Sequence, residues 1–126
     1  MFYVFHQNNS GGTYNFSEAL GIGTFVIVEA DDYNEANERA KDIGLYFDGV
    51  YKGIDCECCG DRWCPIHEWE KPDNVPSIYD TPLKLRPSKR KISHKGWGSL
   101  DVALVFVHYK DGSILRTTYK NRYYHP

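Results

Sequence analysis

The chain has 126 residues, of which 41% are hydrophobic and 25% are charged, and its formal net charge at pH 7 is −2. This length and composition predict one ordinary globular domain over residues 1–126, with a modest core. The small net charge argues against a global basic field that would draw the protein onto nucleic acid, and no apolar run is long enough to span a membrane.

The start of the chain, MFYVFHQNN, has neither the cationic beginning nor the apolar stretch of a secretory signal. We therefore expect an intracellular protein. A reducing compartment disfavours structural disulfides, so clustered cysteines in such a protein suggest a metal site or free thiols.

The first half of the chain predicts two strands followed by one helix. Residues 2–7, FYVFHQ, and 24–30, TFVIVEA, are rich in aromatic and β-branched side chains, and the second run is apolar enough for a central strand. Asp32 and Glu35 have the spacing of a capping box, and Gly44 is a natural stop, so a helix is predicted between them. Its apolar stripe consists of Tyr33, Ala36, Ala40 and Ile43.

The second half predicts a long insert followed by a hairpin. Residues 46–50, YFDGV, are typical of a short strand and turn that lead into a Cys-rich loop at 55–69. Residues 70–99 contain four prolines and a basic stretch, and so long an irregular connection is usually functional, mobile or held by another element. Alternating residues then predict a strand at 100–109, which an Asp-Gly turn joins to its partner at 113–120.

The predicted order is therefore strand, strand, helix, insert, strand, strand. This order indicates the α+β class, with a small antiparallel sheet of about four strands and one main helix. One helix covers only one face of a sheet, so the other face must be solvated, covered by the insert or paired with another subunit. We expect self-association into a homo-oligomer.

All four cysteines lie in the Cys-rich loop, DCECCGDRWCPIHEW. Four residues spaced as C-x-x-C-x-x-x-x-C-x-x-H have the ligand types of a tetrahedral zinc site: Cys56, Cys59, Cys64 and His67. A structural zinc ion would order the irregular loop, with Cys58 as a spare thiol or an alternative ligand. The alternatives are free thiols packed as small apolar groups, or a C-x-x-C redox pair, although GDRW does not resemble the helix start that usually follows such a pair.

Several residues have the chemistry to bind a phosphate or stack on a base. Arg62 and Trp63 place a guanidinium beside an indole, although the pattern is better explained by Trp63 packed under the loop and Arg62 paired with Asp61 or Asp55. Residues 81–99 contain six Lys or Arg residues and no acid, which suits phosphate contacts but is more often a solvated loop. The further ligand-binding candidates are Asn8, Asn9 and Ser10, whose loop could offer amides to an anion, and Lys95, Trp97 and Arg116.

Three stretches of the sequence together resemble a family of small uncharacterised proteins of tailed bacteriophages. They are QNNSGG at 7–12, VEADDYNEANERAKDIGLYFDGV at 28–50 and DCECCGDRW at 55–63. The resemblance covers roughly the first half of the chain. It implies a phage origin and a host-cytoplasm setting, in which small accessory proteins are often non-enzymatic and bind host proteins or sequester small signals.

From these observations we expect a phage-encoded binding protein that counters host antiviral defence, as an oligomeric sponge for a nucleotide-derived signal. One alternative is an inhibitor of a host protein with a zinc-stabilised loop, whose contact patch would be Tyr119, Tyr123 and Tyr124. Another is a metal-dependent or cysteine-dependent nucleotide hydrolase. The sequence contains no recognisable general acid–base or nucleophile motif, so no catalytic residue is predicted.

Overall fold

The computed structural model describes residues 1–92 and 102–120. Its elements in chain order are β1 (Phe2–His6), a short 3₁₀ turn (Ser10–Gly12), β2 (Phe25–Glu29), α1 (Tyr33–Ile43), β3 (Ser77–Ile78), β4 (Thr81–Pro82), β5 (Val102–His108) and β6 (Ile114–Lys120). The predicted site residues Lys95 and Trp97, and the tyrosines Tyr123 and Tyr124, lie outside the described residues.

The main sheet has four strands in the order β1-β2-β5-β6. The α+β class, the four strands and the single main helix are confirmed. The sheet is mixed rather than wholly antiparallel, because β2 and β5 pair in parallel, with Phe25 opposite Val105. After β2 the chain passes through α1 and the insert and returns to the same end of the sheet, which is the connection that parallel neighbours require.

The helix begins and ends where the capping signals predict. The Asp32 side chain accepts a hydrogen bond of 2.8 Å from the Glu35 amide, and the Gly44 amide donates to the carbonyl of Ala40 from a φ of 125°. Ala36 and Ala40 are fully buried. Their small side chains let α1 approach the face of the sheet that carries Tyr3, Phe5, Val26 and Val28.

The insert covers the opposite face of the sheet. Ile78 and Leu83 of the β3–β4 hairpin pack on Phe25, Ile27 and Val105. This hairpin falls in a region predicted to be irregular, and its two-residue strands are too short to produce a periodic sequence signal.

Backbone hydrogen bonds fix the insert at both edges of the sheet. Phe2 of β1 and Asp73 exchange two bonds of 2.8 and 3.0 Å. At the other edge the Ser88 amide donates to the carbonyl of Arg116 in β6, at 2.9 Å. The insert therefore runs across the second face from one outer strand to the other.

The short strand predicted at 46–50 is wrong. The stretch forms a turn in which Asp48 has a φ of 58°. Leu45 and Phe47 are buried in the core beside α1, so their apolar character reflects packing rather than strand pairing. Within the described parts of the chain, no helix has the length and apolarity needed to cross a bilayer.

Candidate functional site

Arg62 is buried at the centre of a hydrogen-bond network. Its Nη1 atom donates to Gln7 Oε1 at 3.0 Å and to the Thr13 carbonyl at 2.7 Å, and its Nη2 atom donates to the Ser10 carbonyl at 2.6 Å. Its Nε atom lies 3.8 Å from Asp55 Oδ1 and makes no hydrogen bond. These contacts tie the guanidinium to the loop after β1, and they favour the structural interpretation of Arg62 over ligand binding.

Trp63 is also part of the core. Only 2% of it is exposed, and it packs in the cluster that α1 forms with the sheet. A buried indole has no open face on which a base can stack, so packing under the loop explains Trp63 better than recognition does.

The predicted anion-binding loop contacts the Cys-rich loop instead. Asn8 Nδ2 donates to the Cys59 carbonyl at 2.6 Å, and Ser10 Oγ accepts from the Cys56 amide at 3.0 Å. Asn9 immediately precedes the 3₁₀ turn and makes no side-chain capping bond. Two features that looked independent in sequence, the polar loop and the cysteines, are therefore one structural unit.

Three of the four thiols lie together. The Cys59 and Gly60 amides both donate to the Cys56 carbonyl, at 3.3 and 3.0 Å, and the resulting turn brings Cys56, Cys58 and Cys59 within hydrogen-bonding reach. Hydrogen bonds from the Cys59 backbone, and then from the Cys58 thiol, lower the pKa of Cys56. The nearby Cys56 sulfur raises the pKa of Cys58.

The other two predicted zinc ligands do not join this cluster. Desolvation raises the pKa of Cys64, and the negative charge of Asp61 adds to the effect. The His67 ring stacks on Trp69 with centroids 4.5 Å apart. Within residues 1–92 and 102–120, no group of three or more His, Cys, Asp or Glu side chains is arranged to hold a metal ion. Zinc binding therefore stays a prediction.

Arg116 fixes the basic part of the insert along β6. Its Nη1 and Nη2 atoms donate to the carbonyls of Ser88 and Arg90, at 2.6 and 2.8 Å. Its Nε atom lies 2.8 and 3.0 Å from the two oxygens of Glu18. Most of the donor capacity of Arg116 is thus used internally, so the residue positions its neighbours more than it offers itself to a ligand.

The segment fixed by Arg116 displays a row of exposed cations. Residues 81–92 contain no acid, and the exposed basic side chains are Lys84, Arg86, Lys89, Arg90 and Lys91. Ile92, at the end of this row, is buried against Val102, Leu104 and Phe106. The backbone that carries the charges is therefore anchored, in contrast to that of a solvated loop.

A cleft of about 260 Å³ opens beside this row, and we call it the basic cleft. It is lined by Phe16, Glu18, Lys91, Ile92, Leu104 and Arg116. Glu18 is the acid that lines it, and Arg116 neutralises that acid by a salt bridge. The remaining charge at the rim is positive, on an otherwise largely apolar surface.

Comparison with known proteins places the chain in a family. The model of a domain of unknown function, DUF7296, matches residues 1–123. The match spans nearly the whole chain, so the chain belongs to this family. No curated protein and no solved structure matches it.

Proposed function

We propose that this member of the DUF7296 family is a non-enzymatic binding protein that sequesters a nucleotide-derived signal. In the setting implied by the resemblance to phage proteins, it acts in the host cytoplasm against antiviral defence. The observation that carries the proposal is the acid-free row of five cations held along β6 beside the basic cleft.

The charge and lining of the basic cleft suit a nucleotide. Lys91 and its neighbours provide ammonium and guanidinium groups for phosphate oxygens, and a fixed backbone lowers the ordering cost of binding. Phe16 and Leu104 provide apolar surface for the rest of the ligand. Binding of this kind needs no catalytic group.

The size of the basic cleft supports an oligomeric sponge. Its volume of about 260 Å³ is below the roughly 300–1,000 Å³ of typical ligand pockets. One chain therefore encloses part of a dinucleotide-sized ligand, and a second copy packed over the cleft would enclose the rest. A homo-oligomer is accordingly part of the proposal.

The first test is binding of mononucleotides and of cyclic and linear dinucleotides to the full chain, by calorimetry and native mass spectrometry. Lys89→Gln/Lys91→Gln should weaken binding of the best ligand about tenfold or more, because two phosphate contacts are lost. The control, Lys41→Gln/Lys52→Gln, changes the net charge equally at exposed lysines elsewhere and should leave affinity unchanged.

The fate of the ligand separates sequestration from catalysis. A ligand recovered intact after denaturation of a homo-oligomer supports the sponge. Conversion of the ligand to a product would show a hydrolase instead. A monomer that binds none of these nucleotides at physiological salt would contradict the proposal.

A second candidate function, inhibition of a host protein, is favoured by exposed apolar side chains around the Cys-rich loop. Tyr51, Ile54 and Trp69 are 93%, 59% and 77% exposed. Bonds from Val50 to Asp61 and from Ile54 to Gly49 hold this region, so its aromatic groups are presented from an ordered loop. This candidate would be supported if the intact chain retains one host protein and the Tyr51→Ala variant does not. Of the contact patch predicted from the sequence, Tyr119 lies within the described residues, and its ring contacts those of Phe25 and Tyr79.

The structural zinc ion belongs to this second candidate. Binding by all four predicted ligands requires Cys64 and His67 to move toward Cys56 and Cys59. Native mass spectrometry of protein purified without chelator measures the zinc content directly. A content of one zinc ion per chain that is lost with Cys59→Ser would support the zinc site. A chain that is fully folded without zinc would rule out a structural zinc ion.

A further inference from the structure

A second cleft, of about 280 Å³, lies at the opposite edge of the sheet. It opens between the outer strand β1, residues 70–73 and the turn of the β3–β4 hairpin. We call it the aromatic cleft, since Phe2, His6, Phe25 and Tyr79 line it. It shares no lining residue with the basic cleft.

The aromatic rings of this cleft form a connected wall. The His6 ring stacks on Phe25 with centroids 4.4 Å apart and an interplanar angle of 11°. The Tyr79 ring meets Phe25 at 6.2 Å in a perpendicular arrangement, and Tyr79 is 58% exposed. The faces of aromatic rings carry partial negative charge and attract cations.

The charged groups of the aromatic cleft are mainly acidic. Glu70, Asp73 and Asp80 line it, and Lys71 is the cationic side chain among its lining residues. Within the described ranges, no salt bridge or hydrogen bond engages the carboxylates of Asp73 and Asp80. Burial, and then the charge of Asp80, raise the pKa of Asp73, as expected for a partly buried carboxyl group with a second carboxylate nearby.

His6 lines the cleft mainly as an aromatic ring. Desolvation lowers the pKa of His6 from its ordinary value, which favours the neutral form of the ring. The cleft therefore combines an aromatic wall with a carboxylate pair that has no partner among the described residues.

The hairpin turn holds two of these groups at the mouth of the cleft. Tyr79 and Asp80 have φ values of 50° and 61°, in the left-handed region where two-residue hairpin turns usually have Asn and Gly. Residues with a Cβ atom are disfavoured there, so the packing of the hairpin must maintain the conformation. The strained turn fixes the aromatic ring of Tyr79 beside the carboxylate of Asp80.

We propose that the aromatic cleft binds a small organic cation, through an ammonium or guanidinium group on a short apolar body. The cationic group lies against the aromatic wall and donates hydrogen bonds to Asp73 and Asp80, while the apolar body contacts Phe2 and Phe25. This site goes beyond the proposed anion binding and does not depend on it, because the two clefts have opposite charge and lie at opposite edges of the sheet.

The test uses the full ¹⁵N-labelled chain and follows amide shifts during titration with putrescine, which carries two ammonium groups, and agmatine, which carries one ammonium and one guanidinium group. Butanediol is the neutral control of matched length, and magnesium is the cationic control without an apolar body. Saturable shifts confined to β1 and residues 70–80 are expected with at least one of the two amines, with half-saturation below about 10 mM.

Asp73→Asn should weaken binding about tenfold, because it removes the charge and keeps the shape of the side chain. The matched control, Asp42→Asn, removes an equal charge from the exposed face of α1 and should leave binding unchanged. Tyr79→Leu keeps an apolar side chain but removes the ring, and should weaken binding several-fold. An unchanged dispersion of amide signals verifies that each variant is folded.

The amine that binds more tightly shows whether the cleft prefers an ammonium or a guanidinium group, and either preference supports the proposal. Equal shifts with butanediol would overturn it, since binding would then require no charge. Equal shifts with magnesium would overturn it, since the apolar body and rings would be irrelevant. Equal weakening by Asp42→Asn, or no saturable shift with either amine, would also overturn it.

Discussion

Arg62 and Arg116 perform the same local task in different surroundings. Each guanidinium donates to two backbone carbonyl groups of a neighbouring loop and lies beside one carboxylate, Asp55 or Glu18. The side chains of Arg62 and Asp55 are 8% and 1% exposed, whereas those of Arg116 and Glu18 are 21% and 62% exposed.

The difference in burial separates a structural role from a functional one. Water cannot replace the buried Arg62 guanidinium, so removal of Arg62 leaves the buried Ser10 carbonyl without its donor. Water can partly replace the hydrogen bonds of Arg116. The main effect of Arg116 is therefore to fix the position of the exposed cations nearby. Asp73 and Asp80 form a third case, two carboxylates that make no salt bridge with an arginine in the described ranges.

Replacement of the buried arginine tests the comparison most severely. Arg62→Ala should lower the free energy of unfolding by about 3–5 kcal/mol, because the Ser10 and Thr13 carbonyls lose their donor. The buried Asp55 carboxylate keeps its bonds from Tyr46 and from the backbone amide of residue 62 but loses its counter-charge. Urea denaturation measures the change. Arg86→Ala, at an exposed position, is the control and should change stability by less than about 0.5 kcal/mol. Similar values for the two variants would mean that Arg62 is not a structural centre.

Replacement of the surface arginine should have a smaller effect on stability and a larger one on binding. Arg116→Ala should cost about 1–2 kcal/mol, since it removes two hydrogen bonds and one partly exposed ion pair. It should also weaken nucleotide binding, because residues 88–90 lose their attachment to β6. Glu18→Gln keeps the carbonyl contacts of Arg116 and should preserve nucleotide affinity. Nucleotide affinity unaffected by Arg116→Ala would contradict the positioning role.

Removal of Asp73, a carboxylate that no arginine of residues 1–92 and 102–120 pairs with, should stabilise the protein slightly. The pKa of Asp73 is raised in the folded state, so the folded chain holds this proton more tightly than the unfolded chain does. The contribution of Asp73 to stability is therefore full below its unfolded pKa and is lost as pH rises through the raised folded value.

Asp73→Asn should accordingly raise the free energy of unfolding at pH 7 by less than about 1 kcal/mol, while it weakens cation binding. The gain should disappear near pH 3, where both states are largely protonated at this residue. Urea denaturation at pH 7 and at pH 3 measures this change in the free energy of unfolding, with Asp42→Asn as the control. A loss of stability at pH 7 would mean that Asp73 has a favourable partner.

The sequence predicted those elements whose signals are local. Asp32, Glu35 and Gly44 bound α1 through contacts within one helical turn, and the Asp-Gly pair defines the β5–β6 turn. The β3–β4 hairpin was not predicted, because its strands have two residues each and Tyr79-Asp80 is not a usual turn pair.

The candidate site was less predictable than the fold. Arg62 and Trp63 were open to both a binding and a packing interpretation, and the choice depends on partners that no spacing rule identifies. The cation-rich segment was recognised from its composition, but its attachment to Arg116 was not. The aromatic cleft was missed, because its wall and its carboxylates come from β1, β2 and the insert.

The sequence by itself determined the α+β class, the limits of the helix, the terminal hairpin and the clustering of the thiols, since each depends on residues a few positions apart. The tertiary structure decided the parallel pairing of β2 with β5, the burial of Arg62 and the opposite charges of the two clefts. These depend on contacts such as Arg62 with Gln7, 55 positions away, and Arg116 with Glu18, 98 positions away. The free energy of such contacts depends on how the whole chain packs, so the local periodicity of the sequence cannot predict them.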